Sequence, residues 1–488
     1  MAEPNQDLDI ELIKKRTISG IVTFTLRSFF IQAFTFLSTF ILTILLDPSV
    51  FGVFFLVSAL INLFVYFSDI GLAAALIQDR KEPKRVDFVT TFTIQQIIVL
   101  FLVALGILLS GKIAAFYKLD TAGLLLLRVL IFSLLLSSLK TIPSIILERN
   151  LNFAKLVIPQ LAENIIFYGL AVILAFLNFG LYSFTWAVLT RGIVGLVIIY
   201  ILSPWRPALS INKDSAKRLM TFGIPFQLNS ILALIKDDLL IVFIGKILPY
   251  NQVGYIGWAQ KFAFVPLRFF MDNVIKVTFP AYSRLQQHKE ELVKGVEKSL
   301  FFVTFLVYPC AFGLLAVAQN FVHIIPKYGK WEPALPLLYF FAINAIFASV
   351  NTTLTNTLFA LGKSKIVLNL MIVWTALTWV LTYLLVKQIG FVGVGVASAL
   401  VAMSTSVVVF YVKKHIPISV GRNIFGPFVM SLLMFAVVKG LGQILPLNVF
   451  GLLMMIIFGV LTYFILSTKM LKNNIFEEVK IVLKAIRT

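Results

Sequence analysis

The feature that most constrains this chain is a near-continuous series of apolar stretches. Each is long enough to cross a bilayer, and short polar turns separate them. A spanning helix needs about 20 apolar residues. Spans fall near 17–46, 50–78, 88–110, 121–147, 156–177 and 181–203, then 220–247, 251–280, 299–321, 334–361, 366–387, 391–412, 424–441 and 447–467. The series predicts an all-α integral membrane protein of about 14 transmembrane helices. Its first stretch is far longer than the roughly 7–15-residue apolar core of a signal peptide, so it is expected to be retained as a span.

Composition agrees. Hydrophobic residues are 59% of the 488 and charged residues 13%, where soluble chains carry about 25% charged residues. That excludes a large cytosolic catalytic or nucleotide-binding domain.

The charge, +20 overall, is explained by the loops and not by nucleic acid, which is excluded as a partner. With the N-terminus cytoplasmic, the loops and tails of that side hold 27 Lys and Arg against 6 on the other. Cytoplasmic loops carry such an excess. Both termini are then expected on the cytoplasmic side of the cell membrane.

One cysteine, Cys310, allows no intrachain disulfide, and His288, His323 and His415 lie too far apart in sequence for a metal site. No metal and no cofactor is expected. The tail 469–488 places Ile475, Phe476, Val479, Val482, Leu483 and Ile486 on one helical face, with Lys480, Lys484 and Arg487 near the other. That pattern fits a helix lying on the membrane surface.

Two halves of the chain repeat. Asn178-Phe179-Gly180-Leu181-Tyr182-Ser183 matches Gln388-Ile389-Gly390-Phe391-Val392-Gly393 at an offset of 210, and Val50-Phe51-Gly52 matches Gln252-Val253-Gly254 at an offset of about 202. Each of the latter is followed by an acidic residue placed late in its helix, Asp69 and Asp272. The organisation expected is a lobe of six helices over 1–203, a cytoplasmic linker at 204–219 and a second, pseudo-symmetric six-helix lobe over 220–412. Two further helices at 413–468 precede the amphipathic tail. An even number of spans per repeat makes the copies parallel, an arrangement transporters use with the substrate site at the repeat interface.

Charges inside the spans carry the chemistry. A charge at the bilayer centre costs about 2.5–3.5 kcal/mol on insertion scales, so it is kept where it meets a partner or a cavity. Lys140, Lys276 and Lys439 lie near span ends, where snorkelling to the interface is expected, as for Arg128. Arg27, Arg191, Lys236, Lys261 and Arg268 lie deeper and are expected to line an aqueous cavity. On helix eight, Lys261, Arg268, Asp272 and Lys276 fall within about 80° of arc at about 100° per residue, a polar stripe that interhelical ion pairs would also explain. The acidic in-span residues are Asp69, Glu163, Asp237, Asp238 and Asp272. They are candidates for ion pairing or for proton or sodium coupling, with Lys236 beside Asp237 and Asp238 the most direct pair. The surplus is positive, which suits an anion such as a phosphate or diphosphate. Gly362-Lys363-Ser364 lacks the glycine and the preceding strand of a phosphate-binding loop, and Gly393-Val394-Gly395 reads as close helix packing.

Several segments together resemble a known family. They are Leu46-Asp47-Pro48-Ser49-Val50-Phe51-Gly52, the run Asp69 to Gln78 (DIGLAAALIQ), the run Ile142 to Phe153 (IPSIILERNLNF), Phe222-Gly223-Ile224-Pro225 and Val253-Gly254-Tyr255. In order and spacing the chain is similar to the polysaccharide flippases of the O-antigen and colanic acid type, within the multidrug/oligosaccharidyl-lipid/polysaccharide exporter superfamily. The resemblance implies transport of undecaprenyl-diphosphate-linked oligosaccharide across the cytoplasmic membrane for surface polysaccharide biosynthesis. It implies two lobes alternating in access around a cationic cavity, proton or sodium coupling, and helices 13 and 14 flanking the prenyl tail. Polysaccharide polymerase and chain-length proteins are the partners it suggests besides membrane lipid. A lipid II flippase of peptidoglycan synthesis shares these traits. A cation-coupled multidrug antiporter of the same fold would favour acidic residues in the cavity and usually twelve spans. A membrane polymerase or ligase would need a large outer loop, and the longest here is about 12 residues, near Pro326–Pro333; the chain is not expected to be an enzyme.

Overall fold

A computed structural model describes residues 30–78, 82–228 and 231–470, apart from some side chains near 222–233 and 272–280. Every regular element among the described residues is helical. The chain divides into two compact units, residues 1–254 and 255–488. Of the tail predicted over 469–488, residues 471–488 lie outside the described residues, as does Arg27.

The first unit opens with α1 (Phe30–Leu45) and α2 (Pro48–Ser68), which starts at a proline whose missing N–H is no loss in a first turn. Then follow α3 (Leu72–Gln78), α4 (Arg85–Tyr117), α5 (Thr121–Leu139), α6 (Thr141–Arg149), α7 (Phe153–Phe176) and α8 (Tyr182–Leu202). After a non-helical crossing come α9 (Lys213–Leu228), α10 (Ile231–Lys236), α11 (Asp238–Ile247) and the first turn of α12 (Tyr250–Arg284). The second unit holds the rest of α12, then α13 (Lys289–Ile324), a 3-10 turn at Gly329–Ala334 and α14 (Leu335–Ala360). It continues with α15 (Ser364–Ile389), α16 (Val392–Met403), α17 (Thr405–Lys413), α18 (Val420–Ile444) and α19 (Val449–Met470).

Eleven of the described helical segments are long and apolar enough to cross a membrane. The protein is an all-α integral membrane protein. The remaining expected spans fall on α1, on the interrupted series α9–α11 and on α12.

Three departures from the sequence reading have physical causes. The span expected over 50–78 is not one helix. It breaks at Asp69–Gly71, because Gly71 takes a left-handed conformation with φ +81°, which only glycine adopts at no steric cost. Asp69 is therefore not late in a helix. Its carboxylate accepts from the N–H groups of Leu72 (2.9 Å) and Ala73 (3.4 Å) and caps α3. At the other end of α3, Arg149 donates to the carbonyls of Leu76 (2.5 Å) and Ile77 (3.2 Å). An acid at the first turn and a base at the last match the helix dipole.

The span expected over 220–247 breaks at Asp237, between α10 and α11. The 281–298 connection, expected as a long loop, is mostly helix: α12 continues to Arg284 and α13 begins at Lys289. Polar residues continue a helix beyond the apolar slab because its hydrogen bonds are internal and need no lipid.

Helices α9–α11 pack within the first unit. Near one end, Arg218 pairs with the buried Asp87 at 2.6 Å, and the crossing segment donates Ser210 N to Thr93 Oγ1 (3.0 Å) and Asn212 N to Thr90 Oγ1 (3.1 Å). Midway, Tyr66 Oη donates to Gln227 O, Gln227 Nε2 donates to Tyr66 O (2.6 Å), and Asn62 Nδ2 donates to Asp238 Oδ1 (2.7 Å). Near the other end, Lys246 Nζ donates to Phe116 O (2.6 Å) and Tyr250 Oη to Tyr117 O, so both cap the last carbonyls of α4. Gly71 and Gly223 approach so closely that a methyl group on either would overlap the other's backbone.

In the second unit, Leu292, Val296, Leu300, Tyr308 and Ala311 of α13 form one apolar core with residues of α14, α17 and α18. Gly393 lies against the Leu385 backbone and Gly395 against Leu337 and Phe340, the close packing expected of that pair.

Candidate functional site

The densest group of membrane-embedded charge in the first unit is built by α5, α7 and α8. Lys140 stands at the junction of α5 and α6, inside one helical segment that runs from Thr121 to Arg149. Its ammonium donates to Glu163 Oε1 at 2.6 Å. It therefore does not snorkel to the interface, as its position near a span end led us to expect. A carboxylate one helix away supplies the counter-charge at depth, and that removes the need to reach water. The pair is neither sealed nor free: side-chain exposure is 17% for Lys140 and 25% for Glu163.

Glu163 lies flat against α8 because Gly195 has no side chain; a methyl group there would overlap the carboxylate. One helical turn before Gly195, Arg191 interacts electrostatically with Glu163. Its guanidinium stacks over the Phe167 ring at 4.9 Å, a geometry in which the ring face attracts the cation. Phe167 itself is one turn after Glu163 on α7. Two cations thus share one carboxylate, and the cluster keeps a net positive charge.

Arg191 is exposed, yet it does not belong to the lipid-facing side of its helix. The exposed apolar side chains of α8 are Trp186, Ile193, Val197 and Ile201. At about 100° per residue they stand about 80–160° away from Arg191. Its near neighbours on the helical wheel, Phe184, Ala187 and Gly195, are buried. Ile198 and Leu202, each about 20° from Arg191, are partly exposed. An exposed guanidinium on a partly buried face can meet water or a ligand.

The other residues expected at the site are distributed as follows. Lys236 and Asp237 stand at the break between α10 and α11, 4.0 Å apart at the limit of an ion pair. Asp238 instead accepts from Asn62, so the expected Lys236–Asp237–Asp238 group splits between two partners. Lys261 is half-buried and Arg268 exposed. Both lie on α12, which is continuous, so the sevenfold spacing keeps them on one face. The side chains of Asp272 and Lys276 lie outside those described, as does Arg27. Lys439 reaches Gln319 Oε1 at 3.4 Å, and Arg128 donates to Ser110 at 3.1 Å. Among the described residues no group of three or more His, Cys, Asp or Glu side chains could hold a metal ion.

The pairing of Lys140 with Glu163 and the supporting roles of Phe167 and Gly195 were not legible in sequence. Lys140 and Glu163 are 23 positions apart, Phe167 and Arg191 24, and Glu163 and Gly195 32, and nothing local links them. The regular signal was only that each charge sat in an apolar run.

The comparisons with known proteins can be set beside this geometry. A family profile described as polysaccharide biosynthesis protein matches residues 41–336. The chain is 24% identical over 458 residues to the lipopolysaccharide biosynthesis protein WzxC of Escherichia coli (strain K12), covering 89% of each chain. It is 24% identical to the succinoglycan biosynthesis transport protein ExoT of Rhizobium meliloti (strain 1021), covering 63% of this chain and 62% of that one. The fold matches the lipid II flippase MurJ in an inward closed conformation with a TM-score of 0.75 at 16% identity, over 93% of this chain and 100% of the other.

Proposed function

The chain belongs to the polysaccharide biosynthesis protein family, and from that premise we propose that it is a flippase for undecaprenyl-diphosphate-linked oligosaccharide in the cell membrane. The observation that carries this reading is the cation group of Arg191 and Lys140 around Glu163. An exposed guanidinium on a partly buried helix face, inside a span, suits the diphosphate of a lipid-linked glycan. Arginine binds such oxygens through two parallel hydrogen bonds.

The lipid-linked substrate has a charged, hydrated head and a long apolar tail. Only the head must leave lipid. Arg191 would exchange its interaction with Glu163 for the diphosphate, and Lys236 in the same unit would extend the cationic path. The two repeats, 1–203 and 220–412, would alternate access between the membrane faces, with both termini cytoplasmic as the loop charges suggest. Asp237 and Asp238 at the helix break are the group best placed to couple a proton or sodium ion, since a broken helix exposes backbone carbonyls and dipole ends at depth. Polymerase and chain-length proteins would take up the product on the outer face.

The test is leaflet exchange in proteoliposomes. A fluorescent undecaprenyl-diphosphate oligosaccharide is run beside a lipid II analogue, with imposed proton or sodium gradients. The expected result is exchange of the oligosaccharide carrier, lost in Arg191→Ala and partly kept in Arg191→Lys. Exchange of lipid II alone would move the protein to peptidoglycan synthesis. Exchange of neither by a protein active in cation efflux would make it an antiporter.

A further inference from the structure

Helix α14, in the second unit, turns amides and hydroxyls as well as apolar side chains to its partly exposed side. Its neighbour α15 exposes Leu368, Ile372, Val373, Leu377 and Val380, all of them compatible with lipid. In its C-terminal half, α14 carries Asn351, Thr352, Thr355 and Asn356 on that side, beside the exposed Phe359. At about 100° per residue these four fall within about 140° of arc.

They do not serve to fasten helices together. Thr355 Oγ1 (3.1 Å) and Asn356 Nδ2 (2.9 Å) both donate to the carbonyl of Thr352, on the same helix. Asn351 Oδ1 is buried and meets no donor. Asn344, two turns earlier on the same side, shows the contrasting behaviour: its amide donates to Ser398 O at 2.9 Å and to Ser398 Oγ at 2.7 Å on α16. A buried polar atom without a partner is unfavourable. It persists where a ligand supplies the missing hydrogen bond.

The chemistry of that ligand follows from charge. Helix α14 contains no Asp, Glu, Lys, Arg or His from Leu335 to Ala360, so this face offers no charge to a diphosphate. Amides and hydroxyls both donate and accept, as do the hydroxyl and acetamido groups of sugars.

We propose that Asn351, Thr352, Thr355 and Asn356 form a recognition surface for the uncharged sugar residues of the transported glycan, separate from the cationic site for its diphosphate. The inference rests on the flippase reading above.

The experiment uses the full-length protein in cells of its source that lack the chromosomal copy, so that the native glycan is the probe. Surface polysaccharide and retained lipid-linked glycan are measured at equal membrane abundance. The apolar pair Asn351→Leu with Thr355→Val is expected to lower export about tenfold, the effect of one to two lost hydrogen bonds. The polar-retaining pair Asn351→Ser with Thr355→Ser is expected to stay within about twofold of wild type. Wild-type export by the apolar pair would overturn the proposal. Equal loss in both pairs would also overturn it, because it would make the stripe a packing feature. A deletion strain that keeps its surface polysaccharide would instead defeat the flippase reading itself.

Discussion

Gly52 and Gly254 meet as reciprocal partners. A methyl group on Gly52 would overlap the Tyr250 carbonyl, and one on Gly254 would overlap the Pro48 carbonyl. The same hypothetical carbons would stand 3.1 Å from Gly254 N and 3.3 Å from Gly52 N. Pro48 and Tyr250, like Gly52 and Gly254, are 202 residues apart. Alanine at either position must therefore push the starts of α2 and α12 apart. Gly52→Ala and Gly254→Ala are each expected to destabilise by about 1–3 kcal/mol, seen as a lower thermal midpoint in detergent. A midpoint equal to wild type in both variants would refute the contact.

The Lys140–Glu163 pair predicts strong coupling. Removing one partner leaves the other without its counter-charge, while removing both leaves Arg191 as the charge of the group. A double-mutant cycle with Lys140→Met and Glu163→Gln should give an interaction energy of about 1–3 kcal/mol, with the double variant more stable than the sum of the singles. Transport should stay impaired in the double variant, because a cation of the proposed diphosphate site is gone. Additive losses would show that the pair is not formed.

Asp69 should behave as a cap. Asp69→Ala is expected to cost about 1 kcal/mol, whereas Asp69→Asn keeps an acceptor for Leu72 N and Ala73 N and should stay near wild type in stability and in transport. Loss of gradient-driven transport in Asp69→Asn, at normal stability, would assign this carboxylate to ion coupling instead.

Asp238 is the complementary case. Asp238→Asn preserves a polar partner for Asn62 and removes only the charge. Transport driven by an imposed gradient should fall, while exchange without a gradient continues. Equal gradient dependence in wild type and variant would exclude Asp238 from coupling. Asn62→Ala should weaken packing of α11 on α2 by about 1 kcal/mol, read as faster proteolysis.

Much of the architecture was readable from order and spacing. The long apolar runs predicted the helices, since a span is local and its hydrogen bonds close within about four residues. The breaks were harder. Gly71 breaks a helix through one backbone angle, and the break at Asp237 falls within the charged run Lys236-Asp237-Asp238, which reads equally well as an ion pair inside a continuous span. The neutral stripe on α14 was visible as Asn351-Thr352-Thr353-Leu354-Thr355-Asn356, but charge alone had been taken as the mark of function in lipid.

Sequence by itself determined that this chain lives in a membrane and that it is helical. These properties depend on composition and on short-range periodicity. Only the tertiary structure decided which charges are neighbours. It joined Lys140 to Glu163, laid Glu163 against Gly195 beneath Arg191, turned Asp69 into a cap and set Gly52 against Gly254. Those relations depend on distances of a few ångströms between residues far apart in the chain, and in a low-dielectric interior such distances govern which charges are satisfied and which remain available to a ligand.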